Sequence, residues 1–539
     1  MIELSGIRIP LSKLDGTEQC ELRACRSAAA RRLRVRASQI DHLELRRRSV
    51  DARHRSSIVV LFTVRLSLRS GERQAVSRAG KAARMVDEVP YELPRRHAWA
   101  SQSRPIVVGA GCAGLFCALA LASAGLDPLL VERGDDAQRR TQVVAAFNRS
   151  GMLDQDSNIQ FGLGGAGTFS DGKLGTGTKS PAHRLILQAL VEAGAQRRIL
   201  WDAKPHVGSD VLPHVVMRIV ERIQELGGEV RFRTKLIDVV LTDGKVCGVR
   251  VECDGHEEEI RCTDVVLACG HSARDVFELL RKRGVSLERK TFAMGVRIEH
   301  LQSDVDRALF GSSAGHPALG PASYKLVEHL QDGRSAFSFC MCPGGYVVAA
   351  ASEEGGVVTN GMSLSDRAGF NANAGLLANV FPDDLASDDV LAGVDLQRRC
   401  ERAAFDAGGG SFMAPAQLVG DFLSQSRSSS QGSVSPTYPR GVTWGTLDEC
   451  LPATVANTLR ASIPRLERRL KGFSAADAVL TGVETRSSSP VRVTRARTGE
   501  ALHTPGLWPC GEGAGYAGGI MSAATDGLRI AEALIAAHE

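Results

Sequence analysis

The chain has 539 residues, too many for one core, and its length suggests roughly two to four domains. Hydrophobic residues make up 43% and charged residues 24%, and the longest apolar stretch, residues 115–126, is too short to cross a bilayer, which argues against a membrane span. The net charge of +5 is unevenly spread: residues 1–104 hold 22 Lys and Arg against 11 Asp and Glu, which leaves 44 against 50 for the rest. Such a basic segment can meet nucleic acid, an anionic membrane or the acidic remainder of its own chain, but a solvated surface is the plainest reading, and no nucleic-acid partner is expected.

Residues 2–9 alternate like a strand, 20–33 read as a helix, 40–45 and 58–66 as strands, and 72–85 as a second helix. Residues 1–97 are therefore read as a small basic α+β module, with a linker over 90–104. The start of the chain lacks a basic flank followed by an apolar core, so no signal peptide is expected, and Asp15, Glu18 and Glu21 argue against a transit peptide. The 13 cysteines form no metal-like CxxC pair, and Cys112, Cys117, Cys247 and Cys269 sit in apolar stretches. Reduced buried thiols and a reducing compartment, cytoplasmic or plastid, are expected.

From residue 105 the composition turns rich in Gly and Ala. Residues 105–109 (PIVVG) make a short strand that runs into Gly109, Ala110, Gly111, Cys112, Ala113 and Gly114, then an apolar helix, then a second strand ending at Glu132, 18 residues after Gly114. Gly109 permits the tight turn, Gly111 lets backbone approach a pyrophosphate, and Gly114 lets the helix pack on the strand. The helix N-terminus attracts phosphate, and Glu132 suits a ribose while disfavouring a 2′-phosphate. A second glycine loop, Gly162 to Gly167 followed by Thr168, has no helical pattern after it and reads as a loop lying against a ligand. A third, Gly513 to Gly518, leaves only 21 residues before the end, too few for a second nucleotide-binding unit.

The expected fold class is α/β: a Rossmann-like dinucleotide-binding domain over 104–285, an inserted α+β substrate domain over 286–500, and a return to the first domain over 501–539. Residues 336–341 read as a strand and the Ser-rich stretch 424–435 as a flexible surface loop. No internal repeat is seen.

Several later stretches resemble two-dinucleotide-binding-fold flavoproteins: a hairpin over 229–252, DVVLACG at 264–270 and LWPCGEG at 507–513. The stretches NIQFGLGGAGTFSDGKL (158–174), FCMCPGGYVV (339–348), GVETRSSSPVR (482–492) and PCGEGAGYAGGI (509–520) resemble a family of poorly characterised FAD-dependent dehydrogenases. Leu163 stands where that family loop carries Glu. The resemblance implies non-covalently bound FAD, with Gly511 and Glu512 at the ribityl chain and the helix start at Gly518, Gly519 and Ile520 at the flavin pyrimidine edge. Arg133, Arg140, Gly164, Gly165, Ala166, Gly167, Thr168, Leu236, Cys269 and Gly270 complete the expected cofactor set.

Lys173 and Arg486 are the candidate catalytic cations, each in a motif rich in small hydroxyl residues. Two readings of Arg486 stay open: it clamps an anionic substrate, or it pairs with Glu484 or another acid and holds domains together. His206, and after it His271, are candidate acids or bases, with a structural role the plainer alternative. Cys340 and Cys342 invite a redox-pair reading, but a C-x-C disulfide is strained, and ordinary packing is the expectation. No metal is expected. The reading is an FAD-dependent oxidoreductase passing hydride between flavin N5 and a small-molecule substrate. The alternatives are a flavin-binding sensor whose basic module meets a partner, and an NAD(P)H-dependent monooxygenase.

Overall fold

Five three-residue strands form one parallel sheet, ordered Leu507–Pro509, Val265–Leu267, Ile106–Val108, Leu129–Val131 and Glu229–Arg231. The four strands before the edge are wholly buried and apolar apart from a proline, as a parallel sheet covered on both faces requires. The computed structural model describes residues 1–87, 90–93 and 103–538. The expected linker over 90–104 falls largely outside the described residues.

The helix Cys112–Ser123 is apolar on every side because it lies between the sheet and the last helix, Ile520–His538, and ten of its twelve residues are buried. Small residues allow that approach: a Cβ on Gly527 would stand 2.2 Å from the Ala113 carbonyl oxygen. The helix Leu212–Glu225 is one-sided instead, burying Leu212, Val215, Val216, Ile219, Val220 and Ile223 at helical spacing. The hairpin expected over 229–252 is a three-stranded antiparallel sheet of Thr234–Thr242, Lys245–Cys253 and His256–Arg261, while Glu229–Arg231 joins the parallel sheet.

Between Val265–Leu267 and Leu507–Pro509 the chain builds a seven-stranded sheet. Its order is Val327–His329, Ser335–Cys342, Asn371–Val380, Phe292–Leu301, Val479–Glu484, Ala414–Leu418 and Val442–Trp444. The helices Ala392–Ala407 and Ala453–Leu466 pack against it. A two-stranded flap, Gly345–Ala349 with Thr359–Ser363, also lies on this sheet. In the Ser-rich stretch, Ser428 is buried, accepts from Leu418 N at 2.9 Å and donates to Asp421 at 2.6 Å.

The N-terminal module is a four-stranded antiparallel sheet, ordered Ile40–Asp51, Val59–Leu68, Ile2–Pro10 and Ala83–Met85, covered by the helix Glu18–Leu33. The second helix is shorter than expected. It spans Glu72–Ala79 and stops at Gly80, whose φ of +59° turns the chain into the edge strand. The module is docked through Arg48, which is buried. Its backbone exchanges hydrogen bonds with Trp201 and Ala203 at 2.7 and 2.8 Å, and its guanidinium meets Glu21 at 2.7 Å and the Ala318 carbonyl at 2.5 Å. Among the described residues no helix is long and apolar enough to cross a membrane.

Candidate functional site

A cleft of about 330 Å³ opens where the parallel strands end, with the parallel-sheet domain on one side and the inserted sheet on the other. Gly109 closes the first strand at φ +99°, where a Cβ would stand 2.5 Å from the Ala268 carbonyl oxygen. A Cβ on Gly114 would stand 1.9 Å from the Gly109 carbonyl oxygen, so that glycine sets how closely the helix approaches its strand. Gly111 differs: only Gly165 Cα, at 4.0 Å, lies near its Cβ direction, and both glycines line the cleft. The helix Cys112–Ser123 starts there without a side-chain cap.

Glu132 is buried and lines the same end. Its Oε2 accepts from Ala110 N at 2.7 Å, and its Oε1 from Gly134 N at 3.0 Å and Gly162 N at 2.9 Å. One carboxylate thus joins the first glycine loop to the second. The second loop also donates from Gly164 N to the Ala110 carbonyl at 2.7 Å, and Gly165–Gly167 forms a single turn facing the cleft. Leu163 points away into the apolar core, which explains how this position accommodates an aliphatic side chain. Arg133 lies over the Phe161 ring at 4.4 Å and pairs with Asp275 at 2.6 Å. Leu236, Cys269 and Gly270 line the cleft beside it.

The lining also takes Glu512, Gly518, Gly519 and Ile520, before and at the start of the last helix, together with Lys173, Cys340 and Arg486. A Cβ on Gly518 or Gly519 would meet nothing within 4 Å. Burial pushes the Glu512 carboxyl up to about 7. His271 Nε2 lies 3.8 Å from Glu512, and burial, with Arg486 and Arg274 nearby, lowers that histidine to about 3, so the ring is neutral. Lys173 Nζ lies 3.1 Å from the buried Asp171 and 3.9 and 3.8 Å from the sulfurs of Cys340 and Cys342.

Arg140, Thr168 and His206 stand off the cleft, and Arg486 lines it while paired with an acid, one of its two expected roles. Arg140 does not face the cleft. It is wholly buried behind the second glycine loop, and its five donors all go to backbone carbonyls of Asn158, Ile159, Gly162, Leu163 and Gly165 at 2.6–3.2 Å. Thr168 is also off the cleft, with its hydroxyl on the Leu163 carbonyl at 3.0 Å. His206 lies outside the cleft lining, its Nε2 3.1 Å from the Ser365 carbonyl. Arg486 lines the cleft, but its Nε and Nη2 already hold Glu401 at 3.1 and 2.8 Å, while Glu484 is paired with Arg297. Of the glycine-loop and turn residues, Ala110, Gly114 and Gly511 support the lining without joining it, Gly511 N donating to Asp526 at 2.8 Å.

The cleft also takes Gln160, Phe339, Asn360 and Ser487, none of them expected there from the sequence. Gln160, Phe339 and Ser487 lie inside the motifs quoted above. Asn360 comes from the flap and carries no sequence signal; its Oδ1 accepts from Arg297 at 2.9 Å. Among the described residues no group of three or more His, Cys, Asp or Glu is arranged to hold a metal.

An uncapped helix start between two facing glycine loops, a buried carboxylate that joins those loops and lines the cleft, and an open second helix start fit FAD. Residues 103–294 match the pyridine nucleotide-disulphide oxidoreductase family, residues 291–487 the FAD-dependent protein C-terminal domain-like family, and residues 1–67 a domain of unknown function. An uncharacterized protein of Clostridium beijerinckii is 42% identical over 99% of this chain and 98% of its own. Among solved structures, a geranylgeranyl bacteriochlorophyll reductase-like protein of Thermoplasma acidophilum is 14% identical with a TM-score of 0.37, covering 80% of this chain and 78% of that one. A 3-ketosteroid dehydrogenase of Rhodococcus jostii is 13% identical with a TM-score of 0.34, covering 83% and 100%. Likenesses of that size carry no argument about substrate. The full-length relative and the two family matches that meet at the cleft place the chain in a family of FAD-dependent oxidoreductases that joins a dinucleotide-binding fold to an FAD-dependent C-terminal domain.

Proposed function

We propose that the adenosine half of FAD lies against Gly109, Gly111 and Glu132, that its flavin ring lies between Gly518–Ile520 and Lys173, and that hydride passes between that ring and a small molecule entering from the inserted-domain side. Bound FAD supplies the hydride chemistry. The observation that carries this reading is the pair of glycine loops facing each other across one end of the cleft, with Gly111 open on the cleft side.

The chain's residues position and shield. Glu132 Oε2 accepts one backbone hydrogen bond and keeps acceptor capacity for a ribose hydroxyl. Its negative charge repels a 2′-phosphate. The helix Ile520–His538 turns its positive end toward the ring and favours electron density there. The proposal of an anionic substrate rests on Lys173, which is paired with Asp171 but part-exposed at the cleft, whereas Arg486 is buried with its Nε–Nη2 edge closed on Glu401. Denaturing the purified protein should release FAD and no FMN, and Glu132→Ala should weaken FAD by about 1.5–3 kcal/mol, the range for a hydrogen bond to a charged group. Unchanged affinity in that variant refutes the seating.

A further inference from the structure

The strand Ser335–Cys342 pairs antiparallel with Asn371–Val380, but its register slips near its end: Phe339 faces Gly375 and Cys342 faces Asn373, so three residues' advance on one strand meets two on the other. Cys340 sits in this bulge at φ +40°, a conformation that residues other than glycine seldom adopt. In a regular strand, residues two apart share a face but are separated by about 6.6–6.8 Å of rise. The bulge removes that separation, and Cys340 Sγ lies 4.0 Å from Cys342 Sγ. The two sulfurs thus stand side by side, about 2 Å beyond a disulfide bond length.

The surroundings are those of a reactive pair. Lys173 Nζ lies within 3.9 Å of both sulfurs, and Arg297 donates to the Cys340 carbonyl at 3.0 Å. The Cys342 thiol beside it, with Lys173 and Arg297, holds Cys340 below the ordinary thiol range, whereas burial pushes Cys342 up. Cys112, Cys262, Cys269, Cys400 and Cys450 are all pushed up to about 12, mainly by burial, as inert packed thiols are. Cys340 lines the cleft and Cys342 lies behind it, fully buried. A strained, cation-flanked pair with one member at the cleft has no evident packing purpose.

We propose that Cys340 and Cys342 form a dithiol–disulfide couple that exchanges two electrons with the flavin bound in this cleft; this rests on the ring lying at the Lys173 end. In the oxidising direction the Cys340 thiolate and the Cys342 thiol form one S–S bond and give up an electron pair. The pair and the Cys342 proton pass to oxidised flavin, which becomes the singly protonated, anionic reduced form, so charge and atoms balance. The reverse step opens the disulfide and returns the thiolate beside Lys173.

The mass assay needs no variant, because Arg334 and Arg367 bound a tryptic peptide that contains both cysteines and no other. Holoprotein treated with diamide, desalted, alkylated with iodoacetamide and digested should show this peptide two hydrogens lighter and unalkylated. Anaerobic dithionite titration of the same protein should consume four electron equivalents per FAD, against two for Cys340→Ser and for Cys342→Ser. Lys173→Met should raise the pH midpoint for alkylation of Cys340, a shift that a packing role does not produce. Two alkyl groups on the wild-type peptide, with only two electrons taken up per FAD, overturn the couple. An error in the flavin seating shows separately, as unchanged FAD affinity in Glu132→Ala.

Discussion

Replacing Glu401 with Gln tests how the two sides of the cleft are held. Glu401, on the helix Ala392–Ala407, is buried and accepts from Arg274 at 2.7 and 2.8 Å, from Arg486 at 2.8 and 3.1 Å, and from the Thr485 hydroxyl at 2.6 Å. Arg274 belongs to the dinucleotide-binding side, so this one carboxylate clasps the inserted domain to it. Burial alone would push the carboxyl up, and the two guanidiniums more than reverse this, holding it well below the usual carboxylate range. Glu401→Gln leaves two buried guanidiniums with Glu353 as the remaining acid, 2.7 Å from Arg274 and 4.0 Å from Arg486. Removing one partner of a buried pair costs about 3–5 kcal/mol, and the variant should lose that much in urea unfolding, with FAD released in step. Arg486→Leu should cost less, about 1–3 kcal/mol, because Arg274 still pairs with Glu401. The Glu401 contribution is present above the ordinary carboxyl range and fades as pH falls through the depressed folded value, so acid should close the gap between Glu401→Gln and wild type. An Arg486→Leu protein with wild-type unfolding, full FAD and no turnover would refute the clasp and assign Arg486 to substrate.

Other perturbations separate lining from support. Arg140→Met removes five hydrogen bonds to the second glycine loop, so FAD occupancy should fall together with a stability loss of at least about 3 kcal/mol, although Arg140 does not line the cleft. Gly111→Val should give a folded, colourless protein, since its side chain enters the cleft, whereas Gly114→Ala should lower the unfolding midpoint because its Cβ meets the Gly109 carbonyl; wild-type FAD content in Gly111→Val refutes the first. With Glu512 raised from 4.5 to about 7 in the folded chain, FAD-free protein should lose stability from this group as pH rises between those values. Glu512→Gln should abolish that slope, worth at most about 3 kcal/mol, as read by thermal unfolding across pH. An identical slope in the variant removes Glu512 from the account.

The first glycine loop and its acid could be read in the sequence because their work is done by local backbone. Gly109, Gly111, Gly114 and Glu132 keep a short strand, turn, helix and strand in register, and few other residue types can stand there. The same holds for the turn at Gly511 and Glu512 and the helix start at Gly518–Ile520. Side chains that act at a distance were not legible. Whether Arg140 points at a ligand or into the loop behind it depends on which face of the helix Ala137–Ser150 is buried, and its acceptors lie 18 to 25 residues away. Arg486 chose Glu401, 85 residues earlier, over Glu484 two residues before it, because Glu484 is held by Arg297 on the neighbouring strand. Cys340 and Cys342 were visible as letters, yet only the slip against Asn371–Val380 brings their sulfurs together, and only the fold brings Lys173, 167 residues before Cys340, within 3.9 Å of both. Short-range backbone geometry is written in residue type and spacing, whereas the partner of a buried charge or thiol is settled by which elements pack against it.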